Sequence, residues 1–184
     1  MDLLLAARRG DEGAFSQLYE EHHLPVFRYA YRMTGSAADA DDVVQECFFQ
    51  LLRPSASYNP ERSGIRLYLL GIARNLVLKR WRRGKLASAF TLQPAASHSP
   101  ERQVLQNEME RVIAGAILAL PETLREVLIL SHYEQMPLAE IADLMSLNPG
   151  AAKSRLQRGR ARLKESLADY APRTGASDER RRTR

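Results

Sequence analysis

The side chains in this chain that could do chemistry are mostly cationic, and they are concentrated in two runs. Residues 62–85 contain eight basic side chains and no acidic one, and residues 147–184 contain eleven basic and four acidic side chains. Arginine and lysine at this density bind polyanions, because their charge displaces counterions and the arginine fork matches a phosphate group. The two runs therefore predict two separate contacts with a polyanion.

The second run begins inside a predicted helix-turn-helix over residues 137–163. Asn148 is a favoured N-cap residue, and Pro149 fits the first helical position, where its missing N–H costs nothing. Ala142 and Ala152 are small enough for the two helices to cross closely. In this motif the second helix enters the major groove of DNA, whereas the alternative is a basic helix that is only solvated. We favour DNA binding because the capped turn, the small residues and the acid-free basic face coincide.

The candidate contacts on this second helix lie opposite its apolar residues, which include Leu156 and Leu163. Arg155 and Arg158 are the main candidates for base or phosphate contacts in the major groove, and Lys153 and Ser154 are further candidates near the helix N-terminus. The predicted DNA-contacting residues of this helix are Lys153, Ser154, Arg155, Arg158 and Arg162.

The first basic run lies on a helix predicted over residues 65–83. This helix is apolar on two sides, as expected at the centre of a helical bundle, and its remaining arc is basic. Such an arc fits a nucleic-acid strand, and Tyr58 in the loop 54–64 could stack on a base. Two simpler interpretations stay open: the charges satisfy the helix dipole, and Tyr58 packs the loop onto the protein. The predicted strand-binding residues are Tyr58, Arg74, Asn75, Lys79 and Arg82.

A third candidate surface is acidic and lies on the helix predicted over residues 36–53. Its polar side contains Phe49, and an aromatic side chain among polar groups is typical of a protein interface. The acidic residues of this helix could also be interpreted as a metal site. They lie too close together at the start of one helix to surround an ion, and the helix dipole accounts for their position. The predicted protein-binding residues are Asp39, Asp42, Gln45, Glu46 and Phe49, and we predict no metal ion and no cofactor.

Composition indicates which elements position these surfaces. Runs of β-branched residues are nearly absent, and Gly and Pro are sparse inside the periodic segments, so we expect an all-α protein. Asp11 is predicted to cap a helix that ends near His23, and Pro25 to begin a separate helix. Cys47 is the one cysteine, which excludes an intrachain disulfide and fits the reducing cytoplasm. No signal peptide begins the chain and no apolar run reaches roughly 18 residues, so we expect no membrane insertion.

Two small helical domains joined by a flexible linker are expected. The first domain spans residues 1–83. Residues 84–100 are rich in Ala and Ser, with two prolines and no clear period, which predicts the linker. The second domain spans residues 101–170 and contains the helix-turn-helix. The tail, residues 171–184, is polar and basic, and its composition predicts disorder.

Two blocks of sequence, read together, resemble one family. The resemblance covers roughly residues 10–83 and 105–167, and the blocks occur in the order and spacing of that family. The stretches that carry the resemblance are ADADDVVQECF, YLLGIARN, LPETLREVLIL, PLAEIADLM and GAAKSRLQRGRARL. A helix-turn-helix alone is unspecific, but these stretches in one chain of this length are highly specific. The chain resembles the RNA polymerase sigma factors of bacteria, and among them the compact extracytoplasmic-function (ECF) type.

The resemblance implies a two-domain transcription initiation factor that is not an enzyme. Its first domain would bind the clamp of core RNA polymerase through the acidic helix and would open the minus-ten element of promoter DNA. Its second domain would bind the polymerase flap and read the minus-thirty-five element. Many members of the family are held by an anti-sigma protein, and nothing in the sequence shows one. This chain departs from the family pattern at Tyr68, where Trp is frequent, at Ser146, where Gly is common, and at Ala152, which replaces Val or Ile.

Two rival functions follow from the same residues. One is a free-standing helix-turn-helix transcriptional regulator with an N-terminal sensing or dimerisation domain, but such a domain has no use for eight basic residues without an acid. The other is a metal-dependent enzyme acting on DNA through Asp39, Asp41, Asp42 and Glu46. No distant Asp or His completes a site with these acids, so the sequence gives this enzyme little support.

Overall fold

A computed structural model of the chain describes residues 3–53, 58–87 and 108–168. Every regular element within these ranges is a helix, which confirms the predicted all-α class. None of the helices in these ranges is long and apolar enough to span a membrane. The helices are α1 (Leu3–Arg8), α2 (Glu12–Thr34), α3 (Ala37–Leu52), α4 (Ile65–Ala87), α5 (Glu108–Ala119), α6 (Glu122–His132), α7 (Leu138–Leu144) and α8 (Pro149–Ser166).

Helices α1 to α4 form the first domain, a bundle in which α2 packs against the other three helices and α3 packs against α4. The prediction that α4 is apolar on two sides is confirmed, since its buried side chains face both α2 and α3. Burial of apolar area of this kind is the main favourable contribution to folding. The fully buried side chains of this core include Val26, Tyr29, Met33, Val43, Cys47, Leu51, Leu69, Leu70, Ala73 and Val77.

The prediction of two helices meeting at Pro25 is wrong, because α2 continues through this residue. Asp11 caps the helix as expected, accepting a hydrogen bond from the Ala14 N–H at 2.9 Å, and Gly35 ends it in the left-handed conformation. Proline removes one backbone hydrogen bond. The apolar face is continuous on both sides of Pro25, however, with Leu18 and Val26 both buried. The packing of that face outweighs the lost hydrogen bond.

Helix α4 extends to Ala87, four residues beyond the predicted end of the first domain. The segment predicted as a linker, 84–100, therefore begins as helix, and Gly84 does not end α4. Residues 88–100 lie outside the described residues. The same holds for the tail, residues 171–184.

Helices α5 to α8 form the second domain, in which α6 and α7 both pack against α8. Ala142 and Ala152 are buried at the crossing of α7 and α8, as the sequence predicted. Gly159 is also buried, and a Cβ atom there would lie 3.2 Å from the carbonyl oxygen of Leu124 on α6. The backbones of α6 and α8 can approach this closely because Gly159 has no side chain. This approach fixes the position of α8 on the rest of the domain.

The turn between α7 and α8 holds the start of α8 in place. The Asn148 side chain accepts a hydrogen bond from the Ala151 N–H at 2.7 Å, and Pro149 occupies the first helical position, which confirms both predictions. Ser146 adopts a left-handed conformation with φ of 53°. Glycine is common at such positions because it adopts positive φ without steric cost. The turn thus keeps its shape with a residue that is less suited to it.

Cys47 is fully buried, and its Sγ–H donates a weak hydrogen bond to the Leu69 carbonyl oxygen at 3.7 Å. Burial, with a smaller contribution from Glu46, raises the pKa of the Cys47 thiol well above its ordinary value. We therefore expect the native protein to resist a thiol reagent such as DTNB at mildly alkaline pH. The same protein in denaturant should react stoichiometrically. Rapid reaction of the native protein would contradict the burial of this side chain.

Candidate nucleic-acid and protein interfaces

The acidic surface of α3 presents one aromatic ring to solvent. Phe49 is 56% exposed, among the most exposed of the large apolar side chains that the structure describes. The guanidinium of Arg53 lies 4.5 Å from the centroid of the Phe49 ring, a cation–π contact that leaves part of the ring open. Asp42 and Gln45 are exposed beside it, and Glu46 accepts a hydrogen bond from Gln50 at 2.7 Å. The exposure is as the sequence predicted, and the role of these residues in binding stays a prediction.

Arg80 of α4 orders the start of this acidic helix, which sequence reasoning did not anticipate. Its guanidinium donates to Asp39 Oδ1 at 2.7 Å and to Asp42 Oδ2 at 3.1 Å. The sequence analysis offered only the helix dipole as an internal role for the basic residues of this helix, because no sequence signal links residues about forty positions apart. Two of the acids predicted to bind a partner are therefore already oriented by an internal cation. Within the part of the chain that the structure describes, no three His, Cys, Asp or Glu side chains are grouped to hold a metal ion.

A groove of about 720 Å³ lies between α3 and α4, and it is lined by residues of both the acidic surface of α3 and the basic strip of α4. The α3 wall of this groove includes Asp42, Glu46 and Phe49, and the α4 wall includes Lys79 and Arg83. The acidic, aromatic surface and the basic strip are therefore neighbours across one groove. This adjacency could not be derived from sequence, because it depends on how α3 and α4 pack.

The basic strip on α4 is only partly open to solvent. Asn75, Lys79 and Arg82 are exposed, as the prediction of a strand-binding surface requires. Arg74 is half-buried, and its Nε donates to Glu126 Oε1 on the second domain at 2.7 Å. The structure therefore brings three of the four residues together on an accessible surface and places the fourth in a contact between the domains.

Tyr58 lies on the first domain and not in an open loop tip. Its ring is half-buried and meets the ring of Tyr68 edge to face, with centroids 5.2 Å apart. This arrangement matches the simpler interpretation, in which Tyr58 packs the loop onto α4. Stacking of Tyr58 on a base stays a prediction, and it requires the ring to leave or extend this contact.

The recognition surface of α8 is mostly accessible. Ala152 and Gly159 form the buried side of the helix, with Leu156 and Leu163 half-buried next to them. Four of the five predicted contacts are exposed, and the fifth, Arg155, is half-buried. The exposed contacts are Lys153, Ser154, Arg158 and Arg162.

A buried polar cluster joins the two domains where α2, α4 and α6 meet. The side chain of Glu126 is 3% exposed, and its Oε1 accepts hydrogen bonds from Tyr29 at 3.1 Å and from Arg74 at 2.7 Å. Burial raises the pKa of Glu126 above its ordinary value, while Arg74, Tyr29 and Arg155 act in the opposite direction. Burial and the Glu126 charge together raise the pKa of Tyr29. Glu126 is thus buried at an electrostatic cost that its partners only partly offset.

A second contact between the domains is built around Glu134, just after α6. Its side chain is completely buried, and Arg66 donates to its Oε2 at 3.0 Å and to its backbone carbonyl oxygen at 2.8 Å. Arg28 lies 3.9 Å from Oε1. On the other side of this interface, Arg125 donates to the Met33 carbonyl oxygen at 2.6 Å. None of these pairs is visible in the sequence, because the partners are 68 to 106 residues apart.

Two protein-family models match this chain, one on each of the two domains. Sigma-70 region 2 matches residues 18–86, and Sigma-70 region 4 matches residues 110–163. Together the two regions cover most of the described residues. The first includes α3 and α4, and the second includes the helix-turn-helix.

Characterised proteins of similar sequence are named as ECF sigma factors. The chain is 27% identical over 175 residues to the ECF RNA polymerase sigma factor SigW of Bacillus subtilis, covering 88% of this chain and 93% of that protein. It is 29% identical over 177 residues to SigE of Mycolicibacterium smegmatis, covering 91% of this chain and 68% of that protein. The free-standing regulator considered above is therefore not favoured.

Two solved structures share the fold. One is the sigma factor RpoE in complex with the anti-sigma factor NepR from Bartonella quintana, with a TM-score of 0.68 and 24% identity, covering 84% of this chain and 96% of that one. The other is CnrH in complex with the cytosolic domain of CnrY, with a TM-score of 0.66 and 24% identity, covering 92% of this chain and 97% of that one. At this identity the likeness concerns the fold alone. The matches to regions 2 and 4 and the similar sequences together show that the chain belongs to the sigma-70 family of RNA polymerase sigma factors, as a member of its ECF type.

Proposed function

We propose that this sigma factor binds the clamp of core RNA polymerase through the α3 surface around Phe49. The observation that supports this assignment is the 56% exposure of a phenylalanine ring flanked by Asp42 and Gln45. Burying such a ring against a partner is favourable, and the surrounding acids select a basic partner surface. The ion pairs from Arg80 keep the acidic end of the helix ordered before the partner arrives.

The second part of the proposal assigns promoter melting to the exposed strip on α4. Opening DNA needs no covalent chemistry, only a surface that holds an unpaired strand more tightly than a duplex. Lys79 and Arg82 supply charge for the backbone, and Asn75 can exchange hydrogen bonds with a base. Arg74 joins this strip when its contact with Glu126 is released.

The third part assigns reading of the minus-thirty-five element to α8. Its N-terminus is fixed by the Asn148 cap, and its buried side is fixed by the close approach at Gly159. The exposed residues opposite can therefore enter the major groove in a defined orientation. The second domain is also proposed to bind the polymerase flap.

The proposed division of the chain follows from these roles. In this proposal the first domain ends with α4, whose last residue is Ala87, and a linker leads to the second domain. We place the protein in the cytoplasm with RNA polymerase, without enzymatic activity of its own and without a cofactor. An anti-sigma protein is a proposed partner, supported by the fold shared with RpoE in its complex with NepR.

Run-off transcription with core polymerase tests the proposed function directly. The template must carry promoters matched to this protein, which selection from a pool of random DNA with the holoenzyme can supply. Transcripts that start at one position only when the protein is present would support the proposal. Absence of specific transcripts, with core polymerase that responds to another sigma factor, would overturn it.

Replacing Arg158 by alanine should weaken recognition by α8. The side chain is exposed, and its only hydrogen bond among the described residues is a 3.4 Å contact to the Ser154 carbonyl oxygen, so the folded protein loses little. If Arg158 contacts a base, binding to the selected promoter should fall by about 1–3 kcal/mol and specificity should relax there. If it contacts only phosphate, all sequences should lose affinity alike and the salt slope should drop by about one. Unchanged affinity and salt slope would place the contact surface on another face of α8.

A further inference from the structure

One face of the first domain carries three arginines that the second domain covers in part. The Arg74 side chain is 20% exposed, and those of Arg28 and Arg66 are 44% and 47% exposed. Arg28 lies on α2, and Arg66 and Arg74 lie on α4. The groups that meet them are carboxylates of the second domain: Glu134 faces Arg28 and Arg66, and Glu126 faces Arg74. We call Arg28, Arg66 and Arg74 the covered arginine face.

The ion pairs on this face are specific and add little to the stability of the closed form. The Glu126 and Glu134 side chains are 3% and 0% exposed, so both carboxylates have lost most of their hydration. Glu134 Oε1 accepts no hydrogen bond from any residue that the structure describes, and Arg28 is 3.9 Å away from it. A buried ion pair of this kind gives specificity while adding little net stability. These ion pairs therefore specify the closed arrangement, while the apolar residues of the two domains, which pack in one continuous core, supply most of its stability.

The covered arginine face has the chemistry and spacing of a phosphate-binding surface. Carboxylate and phosphate present the same acceptor geometry to an arginine fork, so groups that hold two carboxylates can hold two phosphates. Arg66 and Arg74 are eight residues apart on α4, which separates them by about 12 Å along the helix. The exposed Asn75 and Lys79 continue the polar surface from Arg74.

We propose that the covered arginine face binds the backbone of an unpaired DNA strand, and that Glu126 and Glu134 occupy it in the closed form. DNA and the second domain then compete for one surface. In the closed form the carboxylates of the second domain compete with DNA for Arg28 and Arg66, which are two contacts beyond the strip assigned above, and for Arg74. Only the choice of DNA as ligand rests on the proposed function.

A reversible cross-link between the domains tests this competition without changing any charge. A Cβ atom at Gly71 of α4 would lie 3.6 Å from Leu144 Cδ1 of α7, at ordinary contact distance. Gly71→Cys with Leu144→Cys therefore places two thiols across the interface, and the buried Cys47 does not interfere. The probe is a fluorescent oligothymidylate, and its affinity for the full chain is measured by anisotropy over a range of salt concentrations.

The oxidised protein should bind this probe more weakly than the same protein after reduction. Three arginines that each neutralise one phosphate give a slope of log affinity against log salt that is steeper by about 2 in the reduced form, at about 0.7 per phosphate. Equal affinity and equal slope in the two forms, with the disulfide verified by mass spectrometry, would overturn the proposal.

A double charge reversal tests the same competition by favouring the open form of the protein. Glu126→Lys with Glu134→Lys places lysines next to Arg74 and Arg66. The like charges repel one another in the closed form, and opening of the interface relieves this repulsion. The matched control is Glu110→Lys with Glu140→Lys, which adds the same charge at two exposed positions of the second domain. The first variant should bind the probe more tightly and with a steeper salt slope than the control. Identical binding by the two variants, with circular dichroism showing both folded, would contradict the proposal.

These outcomes are separable from failure of the proposed function. Run-off transcription with the reduced cysteine variant reports whether the protein acts with core polymerase, whatever the state of the interface. A reduced variant that transcribes, with an oxidised form that binds oligothymidylate equally well, would reject the competition and keep the function. A variant that shows the competition and supports no transcription would reject the function alone.

Discussion

A polymerase holoenzyme carrying Asn75→Ala and Lys79→Ala should find its promoter and fail to open it. Both side chains are exposed on α4, which belongs to the first domain, whereas α8 belongs to the second, so binding to the minus-thirty-five element should be retained. Strand opening depends on contacts to unpaired nucleotides, and base stacking on a protein surface contributes about 1–3 kcal/mol for each base. Permanganate reactivity of unpaired thymines should disappear, while the footprint over the upstream element remains. We omit Arg74 from this variant because its contact with Glu126 would mix strand binding with closure of the domains.

The matched control for this experiment is Arg9→Ala with Gln17→Ala. It also removes one cation and one amide, both exposed on the first domain and outside the proposed interfaces. The control holoenzyme should melt DNA like the unchanged protein. Normal melting by the α4 variant, or loss of both signals together, would reject the division of labour between α4 and α8.

The second large effect is expected at the polymerase interface, for Phe49→Ala combined with Asp42→Arg. Truncating an exposed aromatic residue that anchors an interface costs about 2 kcal/mol or more. The new arginine at position 42 repels a basic partner and also loses the ion pair with Arg80. Affinity for core polymerase, measured by fluorescence anisotropy of labelled sigma factor, should fall by about 30-fold or more, since 1.4 kcal/mol is a factor of ten.

A comparable change on another exposed surface separates this effect from general damage. Leu24→Ala with Glu20→Arg removes a 43% exposed apolar side chain and reverses an exposed acid on α2. This control should bind core polymerase normally, and circular dichroism should show both variants equally helical. Undiminished affinity of the Phe49 variant would exclude α3 from the interface.

Local sequence signals predicted much of the fold. The caps at Asp11 and Asn148 and the two apolar sides of α4 follow from neighbouring residues and helical periodicity. Each of these features depends on contacts within one helix or at its end, where the residues that interact are close in sequence. The resemblance to sigma factors rested on the same short stretches, and the family matches confirmed it.

Features that depend on packing between helices were missed. Pro25 was expected to divide α2, and the burial of the same face on both sides keeps the helix continuous. Gly159 gave no sequence signal, because its importance comes from the backbone of α6 lying against it. Arg74 looked like a free member of a basic strip, and its buried partner, Glu126, is 52 residues away in the other domain. Exposure of a charge cannot be read from one helix alone.

The connection between α4 and α5 determines how strong the closing contacts need to be. Residues 88–107 lie between the two helices, and the composition of the segment 84–100 predicts a flexible linker. Short flexible linkers hold tethered partners at an effective concentration of about millimolar. An interface with a dissociation constant near that value, far too weak to detect between separate domains, would keep about half of the molecules closed. By mass action, every ligand of the covered arginine face must then compete with the second domain. Because that domain is tethered, dilution of the protein does not lower its effective concentration.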